Sequence, residues 1–172
     1  MKKSFKKYVS LIAVLTLFCT GMTAALAMPN PLHESSVEDQ IENVGIALEA
    51  PKFANSASWF RIDTEPAMSE LRFTADGIEY CYRAQAVNEF TDISGLYVTW
   101  DAIDGKDVKV LYEDARLCLS SEGAGILQWY AVVPGVMYSL SASEGATEDN
   151  LPDVANRIYK PLQGEADGQV TE

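Results

Sequence analysis

The sequence predicts an α+β domain: an antiparallel β-meander sheet of about 7–8 strands, with an N-terminal and a C-terminal helix packed on it. Three observations predict it. Apolar residues alternate with polar ones across most of the span from Ser58 to Ala142. Asp-Gly pairs punctuate that rhythm at Asp76-Gly77 and Asp104-Gly105. Stretches of helical period flank it at residues 36–44 and 150–160.

The first helix is expected from "SSVEDQIENVG". Ser35 with Glu38, or Ser36 with Asp39, fits a capping box. Val37, Ile41 and Val44 form one apolar stripe, and Gly45 suits the left-handed residue that ends a helix. The residues before it, 28–34, hold Pro29 and Pro31 and read as an extended lead-in. Strands are predicted near 58–63, 68–75, 78–85, 97–103, 106–112, 115–120, 126–133 and 136–142. Short connections imply antiparallel pairing. Pro134-Gly135 suits a type II turn. Strand 126–133 is apolar on both parities, so it is expected in the middle of the sheet, buried on both sides. At the C-terminal end, Leu151, Val154 and Ile158 share a helical face. Pro152 is tolerated only in the first turn, which favours Asn150 over Thr147 as N-cap, and Pro161 stops the helix. Each helix has one apolar stripe, so both are expected to cover the same face of the sheet.

The N-terminus predicts export. Lys2, Lys3, Lys6 and Lys7 precede an apolar run from Val9 to Cys19, and "ALA" at 25–27 offers a cleavage site after Ala27. The run is about half the ~20 residues that a spanning helix needs. The expected organisation is a signal peptide at 1–27, a single domain at 28–162 and a disordered polar tail at 163–172. The expected localisation is secreted or extracytoplasmic, without membrane insertion after cleavage. The alternative is an uncleaved anchor.

Of 172 residues, 145 remain after cleavage, enough for one core. They carry nine cations against 25 acids, a net charge of −16. A basic nucleic-acid surface is therefore excluded, and so is electrostatic docking on anionic lipid. Cys81 and Cys118 survive cleavage and lie on the more polar parity of their strands. They form a disulfide if those strands are neighbours, and are independent thiols otherwise.

Catalytic patterns are missing. His33, in the lead-in, is the one histidine of the chain. G-x-S-x-G, H-E-x-x-H, C-x-x-C and phosphate-binding glycine loops do not occur. In "DAIDGKD" the spacing of Asp101, Asp104 and Asp107 fails the EF-hand pattern, because Ile103 stands at its third position. No catalytic residue, metal ligand or cofactor is expected. The longest irregular stretch, 86–97, is the natural place for binding residues on a rigid sheet. Thr91, Asp92, Tyr97 and Trp100 are the candidate ligand-binding residues.

Three segments carry a family resemblance: "PNPLHESSVEDQIENVGIALEAP" at 29–51, "DGIEYCYRAQ" at 76–85 with "TDISG" at 91–95, and "MYSLSASEGATEDNLPDVANRI" at 137–158. Together they resemble a family of exported bacterial domains of unknown function, related to extracytoplasmic domains of anti-sigma-like proteins. The chain departs from that pattern at Phe90, where an acidic residue is usual, and in its two cysteines. The resemblance implies an extracytoplasmic location and this fold, and carries over no catalytic residue.

The expected function is therefore a monomeric, non-catalytic binding or interaction module of the cell envelope or exterior, its partner a small molecule, a glycan or an envelope protein. The alternatives are a hydrolase using paired carboxylates on glycans, and an envelope sensing or structural domain.

Overall fold

Two four-stranded meanders join edge to edge into one antiparallel sheet in the computed structural model, which describes residues 31–102 and 105–161. The first meander holds β1 (Leu32–Ser35), β2 (Ser56–Ile62), β3 (Met68–Ala75) and β4 (Ile78–Ala86). The second holds β5 (Lys106–Val110), β6 (Glu113–Leu119), β7 (Gly125–Ala131) and β8 (Val136–Ala142). Helix α1 (Val37–Asn43) follows β1, and α2 (Asn150–Ile158) follows β8. The spatial order is β1-β2-β3-β4-β8-β7-β6-β5. The described chain is thus mostly β, with two short helices. An uninterrupted meander would place β5 beside β4, but β8 takes that edge. The signal segment 1–27 and the tail 163–172 lie outside the described residues.

The alternation seen in the sequence builds one apolar face. Leu71, Phe73, Tyr80, Tyr82, Leu117, Leu127, Trp129, Tyr138 and Leu140 point to the same side and are buried. Trp129 stacks on Tyr138 at 5.4 Å between ring centroids, and Tyr159 meets both rings edge-on. Leu151, Val154, Ala155 and Ile158 of α2 close this core, as their spacing predicts. Just before α2, Thr147 and Asn150 bond reciprocally: each side-chain oxygen accepts the other residue's backbone N–H, at 3.0 and 2.8 Å. The choice of Asn150 as N-cap is corrected: Asp149 holds that position without a side-chain cap bond, and the reciprocal Thr147–Asn150 pair braces the turn before it.

Helix α1 forms where the sequence predicts it, and Ser36 is its cap, accepting from the Asp39 N–H at 3.2 Å. Its buried face differs from the expected stripe. Ile41 is 59% exposed, whereas Gln40 is fully buried. The Gln40 amide donates to the carbonyls of Phe60 and Glu70, at 2.9 and 3.0 Å, and accepts from the Leu48 N–H at 3.0 Å. A buried amide with all these partners satisfies three backbone groups at once, which an apolar side chain cannot do.

Four boundaries also differ. The lead-in 32–35 is β1, pairing with the outer edge of β2. Residues 97–102 form no strand; β8 takes the edge of β4 where a meander would place them, and they belong instead to the connection from β4 to β5. The Asp104-Gly105 hairpin falls with that strand, and Asp104 lies outside the described residues. The β5–β6 turn falls at Leu111-Tyr112, with Leu111 at φ 53° and its N–H donated to Asn156 of α2 at 2.6 Å. Finally, β7 ends at Ala131, and Val132 and Val133 lie exposed in the turn to β8. That turn contains a cis Val133–Pro134 bond and is closed by Gly135 N–H to Ala131 O at 3.0 Å, so it is not type II. By contrast, Asp76 and Gly77 take φ of 51° and 79°, the primed hairpin turn their pairing predicts.

Candidate functional site: the strap across the second face

The other face of the sheet is polar. Strand registers align Phe60, Glu70, Arg83, Ser139, Gln128 and Arg116 in one row across it. Strand β8 is buried along its whole length even so. The reason is the long connection from β4 to β5. Residues 87–102 run over this face as a strap, from Val87, whose N–H donates to Gly135 O at 3.0 Å, to Asp101, whose N–H donates to Leu119 O at 2.9 Å.

Side chains pin the middle of the strap. Ile93 is buried against Met68 and Met137, a small apolar cluster separate from the main core. The Asp92 carboxylate accepts from the Gln128 side chain at 2.8 Å and from the Ser94 N–H at 2.9 Å. The Arg83 guanidinium donates to Ile93 O at 3.0 Å and to Glu70 at 2.6 Å. Arg116 lies over the Phe90 ring, 5.2 Å from its centroid. At Gly95, φ is +67°, which favours glycine, and a Cβ would come within 2.2 Å of Arg83 Nη1 and displace the guanidinium from its place.

Glu70 is the electrostatic hub. It is fully buried, and its two oxygens accept from Arg72 at 2.7 Å and Arg83 at 2.6 Å. Through Arg83, which also donates to Ile93 O, this carboxylate ties the strap to the sheet.

An open cleft of about 680 Å³ lies where the start of the strap meets the β7–β8 turn. Its polar lining comes from Asn88, Glu89, Thr91 and Tyr130, and its apolar lining includes Val87, Val132 and Pro134. Tyr130 O–H donates to Val87 O at 3.2 Å, which fixes the ring at the cleft wall.

The four sequence candidates divide. Thr91 lines the cleft, and neighbouring Asp92 anchors the strap. Tyr97 is 96% exposed, and neither it nor Trp100 lines the cleft. Asn88, Glu89 and Tyr130 were missed, as were the anchors Arg83, Glu70 and Gln128. A signal existed for Gln128, a lone polar residue within the apolar "ILQWYAVV". For the rest, the sequence does not show which strand the loop crosses.

Cys81 and Cys118 are free thiols, the second of the two alternatives open from the sequence. They share the polar face and one row, Cys81–Ser141–Ile126–Cys118, but β8 and β7 stand between their strands. Three strand spacings are roughly 14 Å, twice the ~7 Å that a disulfide tolerates between Cα atoms. Burial, reinforced by the Glu70 charge and opposed by Arg83 and Arg72, pushes the Cys81 thiol up to about 11. Burial likewise raises Cys118. Neither is an activated nucleophile. His33 lies exposed on β1 beside Asp63 at 3.2 Å. Among the described residues no group of His, Cys, Asp and Glu is placed to hold a metal ion, and no helix is long and apolar enough to cross a membrane.

No protein-family model, curated protein or solved structure matches the chain.

Proposed function

We propose that this chain is an exported, non-catalytic binding module that holds a neutral, hydroxyl-rich ligand, a glycan, in the cleft between the strap and the β7–β8 turn. One observation carries this reading. The cleft, about 680 Å³, combines an aromatic wall with hydroxyl and amide groups and contains a single charged residue, Glu89. Its volume lies in the usual range for small-ligand sites. A cleft without cations gives no support to a phosphate, sulfate or carboxylate ligand. A glycosidase uses two carboxyl groups flanking the scissile bond, and the lining offers one, which favours binding over hydrolysis. The strap supports the same reading, because a loop pinned by Arg83, Gln128 and Ile93 presents preorganised groups. Export rests on the charged, apolar and A-x-A pattern of the first 27 residues and on the family resemblance.

A glycan array probed with the purified protein tests this. Retention of neutral oligosaccharides is expected, weakened about tenfold in Asn88→Ala or Thr91→Val, each of which removes a hydrogen bond to the ligand. Failure to retain any saccharide would sink the reading. Release of shortened products, abolished by Glu89→Gln, would replace it with hydrolysis.

A further inference from the structure

On the helix side of the sheet a second groove has the opposite chemistry. It lies between residues 49–53 and the C-terminal end of α2, and has a volume of about 420 Å³. Its floor is apolar: Pro51, Phe53 and Ile158. Its rim carries Lys52, Arg157 and Lys160 against one acid, Glu49. The chain carries 25 acids and, from residue 28 onward, only nine cations. Three of those nine meet here, so the clustering runs against the composition.

The cations are arranged for a ligand in different ways. Arg157 stacks over Phe53 at 3.6 Å from the ring centroid, and Phe53 in turn meets Phe73 edge-on at 6.4 Å. The guanidinium is thus held over a ring that is itself anchored to the core. One of its five N–H groups goes to Asp153, at 3.3 Å. Lys160 pairs with Glu49, and both are exposed. Exposed pairs of this kind are weak and readily exchanged for another carboxylate. Lys52 has no ion-pair partner among the described residues, although it lines the groove. The helix C-terminus explains Arg157 and Lys160 in part, since cations complement the dipole there. It does not explain Lys52, which comes from a different segment, or the apolar floor beneath all three.

We propose that this groove is a second binding site, taking a small organic anion with an apolar body, of the medium-chain carboxylate class. The acyl chain lies along the apolar floor beside Pro51 and Ile158, since Arg157 already covers the Phe53 ring. The carboxylate sits among Lys52, Lys160 and the free edge of Arg157. The site does not depend on the glycan reading, because it lies on the opposite face and shares no residue with the strap cleft.

Titration with octanoate, followed by amide chemical shifts of the isotope-labelled protein, tests the proposal. Saturable shifts are expected at residues 49–53 and 157–160, weakening as salt is added. Octylammonium and 1-octanol, with the same chain and no anion, are expected to bind about tenfold more weakly or not at all. Lys52→Glu lies on the surface, where it leaves the fold intact, and is expected to cost octanoate about tenfold in affinity. Arg157→Lys keeps the charge but loses the planar group over Phe53, and is expected to weaken octanoate as well. Equal binding of all three probes, shifts located elsewhere, or unchanged affinity in Lys52→Glu would each overturn it.

Discussion

Cys81 shows that compartment alone does not decide the state of a side chain. An exported chain with two cysteines invites a disulfide. The thiol instead lies between Arg72 and Arg83 near the buried Glu70 carboxylate, with its acidity suppressed from 9.0 to about 11. The sign of the pH effect follows. The folded state keeps the Cys81 proton where the unfolded chain loses it, so this contribution to stability is complete below pH 9 and is lost as pH rises towards about 11. Tyr80 and Tyr82, also raised by burial, act in the same direction. Urea denaturation between pH 8 and 11 should show falling stability, and Cys81→Ala should flatten part of that slope. An identical slope in the variant would remove Cys81 from the account. Gln40 gives a complementary lesson. Helical periodicity selects Ile41 for burial, but the fold buries Gln40, because three backbone groups there need partners.

Among the elements, the strap departs furthest from the sequence reading. Its backbone bonds to the sheet lie near its ends, and its centre is held by Ile93, Asp92 and the Arg83 fork. A segment held mainly by side chains opens locally at lower cost than a ladder-bonded strand. Hydrogen exchange should therefore be faster for strap amides than for those of β8. Ile93→Ala removes buried methyl groups from the Met68–Met137 cluster, a change that costs about 2–5 kcal/mol when the site is fully packed. Exchange in the strap should rise by more than exchange in β8. An equal rise in both would make the strap part of the global unfolding unit. The sequence marked residues 86–97 as the irregular loop, and Tyr97 and Trp100 were chosen as aromatics that follow its "TDISG" segment. The cleft instead uses Tyr130, from a strand of the opposite meander.

For the whole molecule, both faces of β8 are buried for different reasons. Its Tyr138 and Leu140 belong to the main core under α2, while Ser139 and Ser141 lie on the strap side. Such a strand ties the two meanders together through its pairing with β4 and with β7. Leu140→Ala, at a fully buried position, should destabilise the protein by about 3 kcal/mol with a single cooperative transition in denaturant. Two separate transitions would mean that the meanders fold as independent units.

Local chemistry was legible in the sequence. Alternation gave most of the strands, Asp76-Gly77 gave its turn, and the Leu151, Val154 and Ile158 spacing gave the buried face of α2. Each of these depends on residues a few positions apart. Strand order, the course of the strap, the turn at Leu111 and the groove at Arg157 were decided only in the tertiary structure. They depend on which distant segments meet: β8 beside β4, Asn156 against Leu111, Phe53 beneath Arg157. Periodicity states which face a residue prefers, but not which neighbour it will find there. Both candidate binding sites lie in such meetings.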